Sequence, residues 1–361
     1  MIYRLVFENL KHRPVRTLIS VFAIGVEVTL ILTLVGVSHG VLDDMKARSR
    51  GTGADIIIRP PDSSGITLSL TMPEKIVDFI RAKPHVKIAT GTFVKYIGSF
   101  DSITGIHLDE FNAMSGGLKI LEGQMFQGPD DVVIDEVFAK QHHVQPGGTF
   151  DLGNEWHVSG IIEQGKLSRT FADITSLQKQ FGGIDKVSAI YVKLDDPSNT
   201  AVVKEALQKD LDTYKIDSIE EFVSLFSTNS VPYIEAFTRV VIGIAVLIGF
   251  LVVCLSMYTA VLERTREIGI LKALGASPGY IVGILLRETV VLALAGTVVG
   301  IVMTYGTRSL LGIFGPSFPQ EIVPDWYPVV TGIALAGSIV GALYPGLRAA
   351  RQDAIEALAY D

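Results

Sequence analysis

The segment Gly160-Ile-Ile-Glu-Gln-Gly165-Lys166-Leu167 comes close to a nucleotide-binding phosphate loop. Such a loop needs Gly-x4-Gly-Lys followed by Ser or Thr, whose hydroxyl holds magnesium. Leu167 stands in that place and Ser168 comes one residue late, so the segment reads as a strand end and a turn. His142 and His143 are adjacent, which points their side chains apart in most backbones. Zinc would need further ligands at suitable spacing, and none is evident, so both read as surface histidines. Gly-x-Ser-x-Gly, His-Glu-x-x-His and Cys-x-x-Cys are all missing. The residues therefore make no catalytic constellation and no metal site, and the chain does not read as an enzyme. Two other features carry more. Glu27 is an acid inside an apolar run, and "ERTREIGILKALGASPGY", Glu263 to Tyr280, is a charged island between two apolar runs.

The elements that hold these residues follow from hydropathy. The chain is 48% hydrophobic and only 19% charged, and its apolar residues gather in long runs, which points to a membrane protein. About 20 helical residues cross the hydrocarbon of a bilayer. Four stretches qualify: Thr17 to Val41, Val240 to Leu262, Ile281 to about Tyr305, and about Trp326 to Tyr344. The third is interrupted early by Arg287 and Glu288, which are expected near its start, where side chains can reach the interface. The first run is too long for a signal-peptide core and no Ala-x-Ala site follows it, so it reads as an uncleaved anchor. Residues 1–16 read as an interfacial helix, with Ile2, Val6 and Leu10 on one face and Pro14 at the bend. Cys254 is the single cysteine, so no intramolecular disulfide forms, and in its apolar run it acts as a small hydrophobe.

Lys and Arg set the orientation. Arg4, Lys11, Arg13 and Arg16 precede the first span, Arg264, Arg266 and Lys272 lie between the second and third, and Arg348 and Arg351 follow the fourth. Only Arg308 lies between the third and fourth. Both termini and the 263–280 loop are thus expected in the cytoplasm, with 42–236 and 306–325 outside and 345–361 a cytoplasmic tail. The 42–236 insertion holds 28 acidic and 19 basic residues, a solvated acidic surface unlike one that binds nucleic acid.

Within the insertion, "ADIIIRPP" reads as a strand closed by prolines. "MPEKIVDFIRAKP" reads as a helix with Pro73 at its first position. "VSAIYVKLDDPSNTAVVKEALQKDL" repeats the strand–turn–helix plan. The expected fold is an α+β domain, a ferredoxin-like sandwich. Short strands in "DVVIDEVFAK" and "GGTFDLGNEWHVSGII" add a β-rich subdomain at about 118–163.

Glu27 lies about 15 Å into its span at 1.5 Å per residue. One reading makes it a switchable or substrate contact; the other makes it a hydrogen-bonded packing residue. The Gly-x-x-x-G pairs Gly36/Gly40, Gly296/Gly300 and Gly337/Gly341 suit close helix packing, within the bundle or across a dimer. In the charged island, Ile270, Leu271 and Leu274 form an apolar ridge among Arg264, Arg266, Glu267 and Lys272, and Val261 to Leu274 should be helical. Gly275 suits the helix end, Ser277 caps the next helix and Pro278 opens it. Such a helix either fills a groove on a partner or lies among lipid headgroups.

"RTREIGILKALGAS", Arg264 to Ser277, resembles the signature of the MacB/FtsX-like ABC permeases, the type VII ABC transporters, in which Arg-x-x-Glu-Ile-Gly-x-Leu-[Lys/Arg]-Ala-x-Gly-Ala is typical. The order of elements is similar, and so are "LKILEGQMF" and "TFDLGNEWHVSGII". The tail "YPGLRAARQDAIEALAYD" resembles the family's ending, although Ala354 stands where proline is common. The resemblance implies a permease subunit that pairs with a second copy and with a separate cytoplasmic ABC ATPase. Residues Arg264, Arg266, Glu267, Ile268, Ile270, Leu271, Lys272, Leu274 and Gly275 would then be the coupling helix that docks on it. ATP and magnesium are expected on that partner, and no cofactor on this chain. It also implies force transmission across the bacterial inner membrane rather than a pore. Efflux with a periplasmic adaptor and an outer-membrane channel is the leading expectation. Lipoprotein release and ABC-type transmembrane signalling without cargo are the alternatives.

Overall fold

The computed structural model describes residues 14–63, 68, 70–97, 101–151, 154–227 and 232–351. The expected interfacial helix lies outside the described residues except for its last three, which open α1 (Pro14–Arg50). The tail beyond Arg351 also lies outside them. Two compact units divide the chain: a mixed one, Gly40–Pro232 with Phe314–Pro319, and a helical one made of the rest.

In the mixed unit the "IIIR" run forms β1 (Ile56–Arg59), buried at every residue. After it come β2 (Met72–Pro73), α2 (Ile76–Arg81), β3 (Val86–Ile97), β4 (Asp101–Ile106), α3 (Leu108–Ser115), β5 (Ile120–Gly123), β6 (Asp131–Asp135) and α4 (Glu136–His142). Then follow β7 (Thr149–Asp151), β8 (Glu155–Ile162), β9 (Thr170–Asp173), α5 (Ile174–Gln180), β10 (Lys186–Val187) and β11 (Ala189–Leu194). A short 3-10 turn, Pro197–Asn199, leads into α6 (Thr200–Asp210), β12 (Lys215–Ser218) and α7 (Ile219–Ser224). A ten-stranded sheet runs β12-β1-β11-β3-β4-β9-β6-β8-β5, with β7 on β8, and β2 pairs with β10 apart from it.

The strands of the 118–163 patch therefore continue the larger sheet. Strand β9 makes the junction, since Phe171 lies parallel opposite Thr104 of β4 and antiparallel opposite Val133 of β6. Phe171 and Ala172 are fully buried there. Two local expectations are corrected. Pro73 does not open a helix: it pairs with Lys186 in β2, and the Glu74 N–H is held by the Asp185 carbonyl at 2.8 Å, so helix begins only at Ile76. The second half of "DVVIDEVFAK" is helical, because the Asp135 carboxylate accepts the Phe138 N–H at 2.7 Å and caps α4.

The helical unit takes α1 as far as His39 and adds α8 (Pro232–Glu263), α9 (Thr265–Ala273), α10 (Pro278–Phe314) and α11 (Trp326–Arg351). Of these, α1, α8, α10 and α11 are long and apolar enough to cross a membrane. Each overruns its apolar run. Helix α1 reaches Arg50 with Lys46–Asp43 at 2.6 Å and Arg48–Asp44 at 3.2 Å along its polar end, pairs that support helix where no lipid does. Helix α10 stops at Phe314, just before Gly315 and Pro316.

Glycines set the closest approach in the bundle. A Cβ built on Gly296 would lie 2.6 Å from Ile24 Cβ, and one on Gly300 would lie 2.6 Å from Val28 Cβ. The Thr29 hydroxyl donates to the carbonyls of Gly25 at 2.7 Å and Gly300 at 3.1 Å, tying α1 to α10. Gly341 brings α11 against α8, where a Cβ would lie 2.9 Å from the Phe250 carbonyl oxygen. Gly337 is looser, with Val246 at 3.9 Å. Gly300→Val is expected to destabilise the bundle by about 1–3 kcal/mol through overpacking. Gly306→Ala, where nothing lies within 4 Å, is expected to be neutral. Thermal unfolding of the two purified variants checks the contrast.

Candidate functional site

The charged island is built around one buried acid. Glu288 lies in α10 with its side chain 0% exposed. Arg264 Nη1 donates to its Oε2 at 3.1 Å, and Arg16 Nη2 donates to its Oε1 at 3.2 Å. Arg16 Nη1 also reaches Glu263 Oε2 at 3.3 Å. The sequence placed Glu288 at the start of its span, reaching for the interface. Because α10 begins at Pro278, Glu288 instead sits a full ten positions inside the helix, where two guanidinium groups neutralise it.

This cluster interrupts the helix expected over Val261 to Leu274. Arg264 has φ −112° and ψ 13°, outside helical geometry, so α8 ends at Glu263 and α9 starts at Thr265. The Thr265 hydroxyl donates back to the Leu262 carbonyl at 2.9 Å, and the Ile268 N–H donates to the Arg264 carbonyl at 2.9 Å. At the far end Gly275 takes φ +92°, with its N–H on the Lys272 carbonyl at 2.9 Å. The Ser277 hydroxyl accepts the Tyr280 N–H at 3.2 Å and caps α10.

Ile268 is buried and anchors α9, while Arg266 and Glu267 are exposed and Leu271 and Lys272 are half-buried. Ile270 is 47% and Leu274 80% exposed, so the apolar ridge is left open. Beside it α9 and α10 enclose a groove of about 320 Å³, lined by Ile270, Leu271, Ile281, Ile284 and Leu285, with Glu267 and Arg264 on its wall. A groove of this kind, apolar with one acid and one base on its wall, is suited to an apolar side chain of a partner. The ridge was legible in the sequence; Glu288 as the acid that Arg264 and Arg16 share was missed. Its only signal was the presence of charges at the edge of or inside apolar runs.

Glu27 lies elsewhere in the bundle. It is 8% exposed and makes no hydrogen bond or ion pair among the described residues. Its carboxyl occupies the space that a Cβ on Gly249 of α8 would need.

Residues 17–210 match the MacB-like periplasmic core domain, and residues 239–354 match the FtsX-like permease C-terminal region. An uncharacterized ABC transporter permease, YknZ of Bacillus subtilis, is 33% identical over 217 residues, 56% of this chain and 52% of that protein. The macrolide export ATP-binding/permease protein MacB of Nitrobacter winogradskyi is 26% identical over 99% of this chain and 60% of its own length. An uncharacterized ABC transporter permease of Methanocaldococcus jannaschii is 23% identical over 98% of this chain and 96% of its own length. The chain thus spans little more than half the length of the first two relatives.

Removing one member of a buried ion cluster leaves uncompensated charge, at a cost of about 3–5 kcal/mol. Glu288→Ala is expected to show that loss in thermal unfolding. Glu288→Leu combined with Arg264→Met is expected to recover part of it, because apolar residues of similar volume replace a buried pair with little penalty.

Proposed function

Since the chain belongs to the family of ABC transporter permeases with a MacB-like periplasmic core domain, we propose that α9 is the coupling helix through which a separate cytoplasmic ATPase drives it. One observation carries this reading: a short helix with an open apolar ridge is clamped to the bundle by the Arg264–Glu288–Arg16 cluster. Such a helix can take a partner at its exposed ridge and pass load into α10 and α1 through buried charge. Two relatives matched over 96% and 99% of their own length carry permease names alone, which supports placing the ATPase, with its ATP and magnesium, on another subunit.

The chain is a membrane protein with four apolar helices. We place it in the bacterial inner membrane with both termini cytoplasmic, because Arg264, Arg266, Lys272 and Arg348 share one side of the four-span arrangement. The mixed α/β unit is then periplasmic, and ATP-driven closure of two permease copies moves it without opening a pore. Open apolar stripes support a homodimer: Leu18, Phe22 and Val26 on α1, and Leu247, Leu251 and Leu255 on α8, are all exposed. Efflux with a periplasmic adaptor and an outer-membrane channel is the preferred outcome, since several relatives are named macrolide exporters. Lipoprotein release and cargo-free signalling are the competing outcomes of the same coupling. Glu27, unpartnered at the α1–α8 contact, is assigned to the switching contact within the bundle.

Two experiments test this. Leu271→Asp puts a charge in the groove and is expected to reduce ATPase co-purification at least tenfold, a loss of about 1.4 kcal/mol or more, with membrane insertion intact. An ATPase that stays bound at normal activity would remove the coupling assignment. Glu27→Gln keeps the shape and deletes the ionisable group; a transport or ATPase cycle slowed severalfold is expected. An unchanged cycle would return Glu27 to a packing role.

A further inference from the structure

Arg287 stands one residue before Glu288 in α10 but takes no part in the buried cluster. Both Glu288 oxygens are held by Arg264 and Arg16. Arg287 is exposed and makes no hydrogen bond or ion pair among the described residues. We propose that the exposed face of α10 binds phospholipid, with Arg287 holding the phosphate of an anionic phospholipid at the end of the span nearer α9. The inference rests on α10 as a membrane span, and on neither the coupling assignment nor the orientation in the membrane.

Helical spacing builds the face. At about 100° per residue, Leu294, Val298 and Tyr305 lie within about 20° of Arg287 around the helix, and Arg308 lies about 60° to one side. Leu294 is 45%, Val298 62% and Tyr305 51% exposed. Gly296, packed on Ile24 of α1, is on the opposite side of the helix. An apolar stripe therefore points away from the bundle, with an arginine at each end. Arg308 too is exposed and without a hydrogen bond or ion pair among the described residues. The two arginines are 21 positions apart, about 31 Å at 1.5 Å per residue. The hydrocarbon of a bilayer is about 30 Å thick. Both ends of the stripe then fall where lipid phosphates begin, and a guanidinium deeper inside would be unfavourable.

The direction of the Arg287 side chain agrees. A Cβ built on Gly283 would lie 4.0 Å from Arg287 Nη1. The guanidinium thus folds back one turn toward the start of α10, over a residue that has no side chain to block it. This carries the charge out of the hydrocarbon and into the headgroup layer. Tyr280, 40% exposed, follows on the same face at the level where interfacial aromatics gather. The anion has to come from outside the chain, because the neighbouring acid is already neutralised. A second copy is the poorer occupant. A two-fold contact between parallel α10 faces would set Arg287 against its own counterpart, like charge against like. The stripes that suit a second copy, Leu18, Phe22 and Val26 on α1 and Leu247, Leu251 and Leu255 on α8, are apolar throughout.

The test takes the full chain in detergent and counts bound lipid by native mass spectrometry, with phosphatidylglycerol and phosphatidylcholine as probes. Phosphatidylglycerol is expected to bind about fivefold more tightly, the contribution of one basic residue beside an anionic headgroup. Arg287→Gln is expected to abolish that preference. Arg351→Gln, which deletes another exposed charge on the same side of the four-span arrangement, is expected to leave it unchanged. Inorganic phosphate, at an ionic strength matched with chloride, is expected not to displace the lipid. Val298→Cys in a Cys254→Ala background is expected to form no oxidised dimer. Equal binding of the two lipids, an unchanged preference in Arg287→Gln, or an equal loss in Arg351→Gln would overturn the proposal. So would displacement by inorganic phosphate, which makes the site one for a free anion, or a Val298→Cys dimer, which puts a second copy on the face.

Discussion

The burial of Glu288 constrains everything at its end of the helical bundle. A carboxylate removed from water is unfavourable by several kcal/mol unless charge and hydrogen bonds compensate it. Here both oxygens are taken, one by Arg264 and one by Arg16. These arginines come from the break between α8 and α9 and from the first turn of α1. Three distant parts of the chain must therefore meet at one point for the acid to be tolerated. The break in helical geometry at Arg264 follows from the same requirement, since the side chain has to turn inward while α9 leaves along another direction. The separation of α9 from α8, and hence the open ridge at Ile270 and Leu274, is a consequence of neutralising one buried acid.

Hydropathy made the number of spans legible, because about 20 apolar residues in a row have few other uses. It did not make their ends legible. Helix α1 continues through "SHGVLDDMKARSR" on the strength of side-chain pairs such as Arg48 with Asp44, and these leave no trace in an apolar average. In the mixed unit, strands with clear alternation or β-branched runs, such as β1 and β11, could be read directly. The unity of the sheet could not, since it rests on β9, four residues long, and on a parallel pairing with β4 that no local pattern encodes. The site divides in the same way. The ridge of α9 is local and was legible; the Arg16–Glu288 and Arg264–Glu288 pairs join residues 272 and 24 positions apart and belong to tertiary structure alone.

The two acids of the bundle are handled in opposite ways, and the difference divides the bundle mechanically. Glu288 is satisfied twice over, so separating its neighbours would expose charge at both partners. Glu27 has no hydrogen-bond partner among the described residues and is accommodated by shape, in the space left by Gly249. A contact held by shape gains only packing, and in a membrane packing against lipid is nearly as good. Helix α8, which supplies Gly249, is also the least enclosed: 22% of its most apolar stretch is buried, against 50% in α1 and α10. The α1–α10 pair, fastened by Gly296, Gly300 and Thr29, is thus the firm body of the bundle. Helix α8 is held at one end by the Arg264–Glu288 clasp and is packed on α11 at its middle through Gly341, so the contact beside Glu27 is its shape-held side toward α1. The hydrogen bonds that fasten α8 to its neighbours thus gather toward its α9 end, where Ser256 meets Ser20, Glu263 meets Arg16 and Arg264 meets Glu288, while the contact beside Glu27 is made by packing alone.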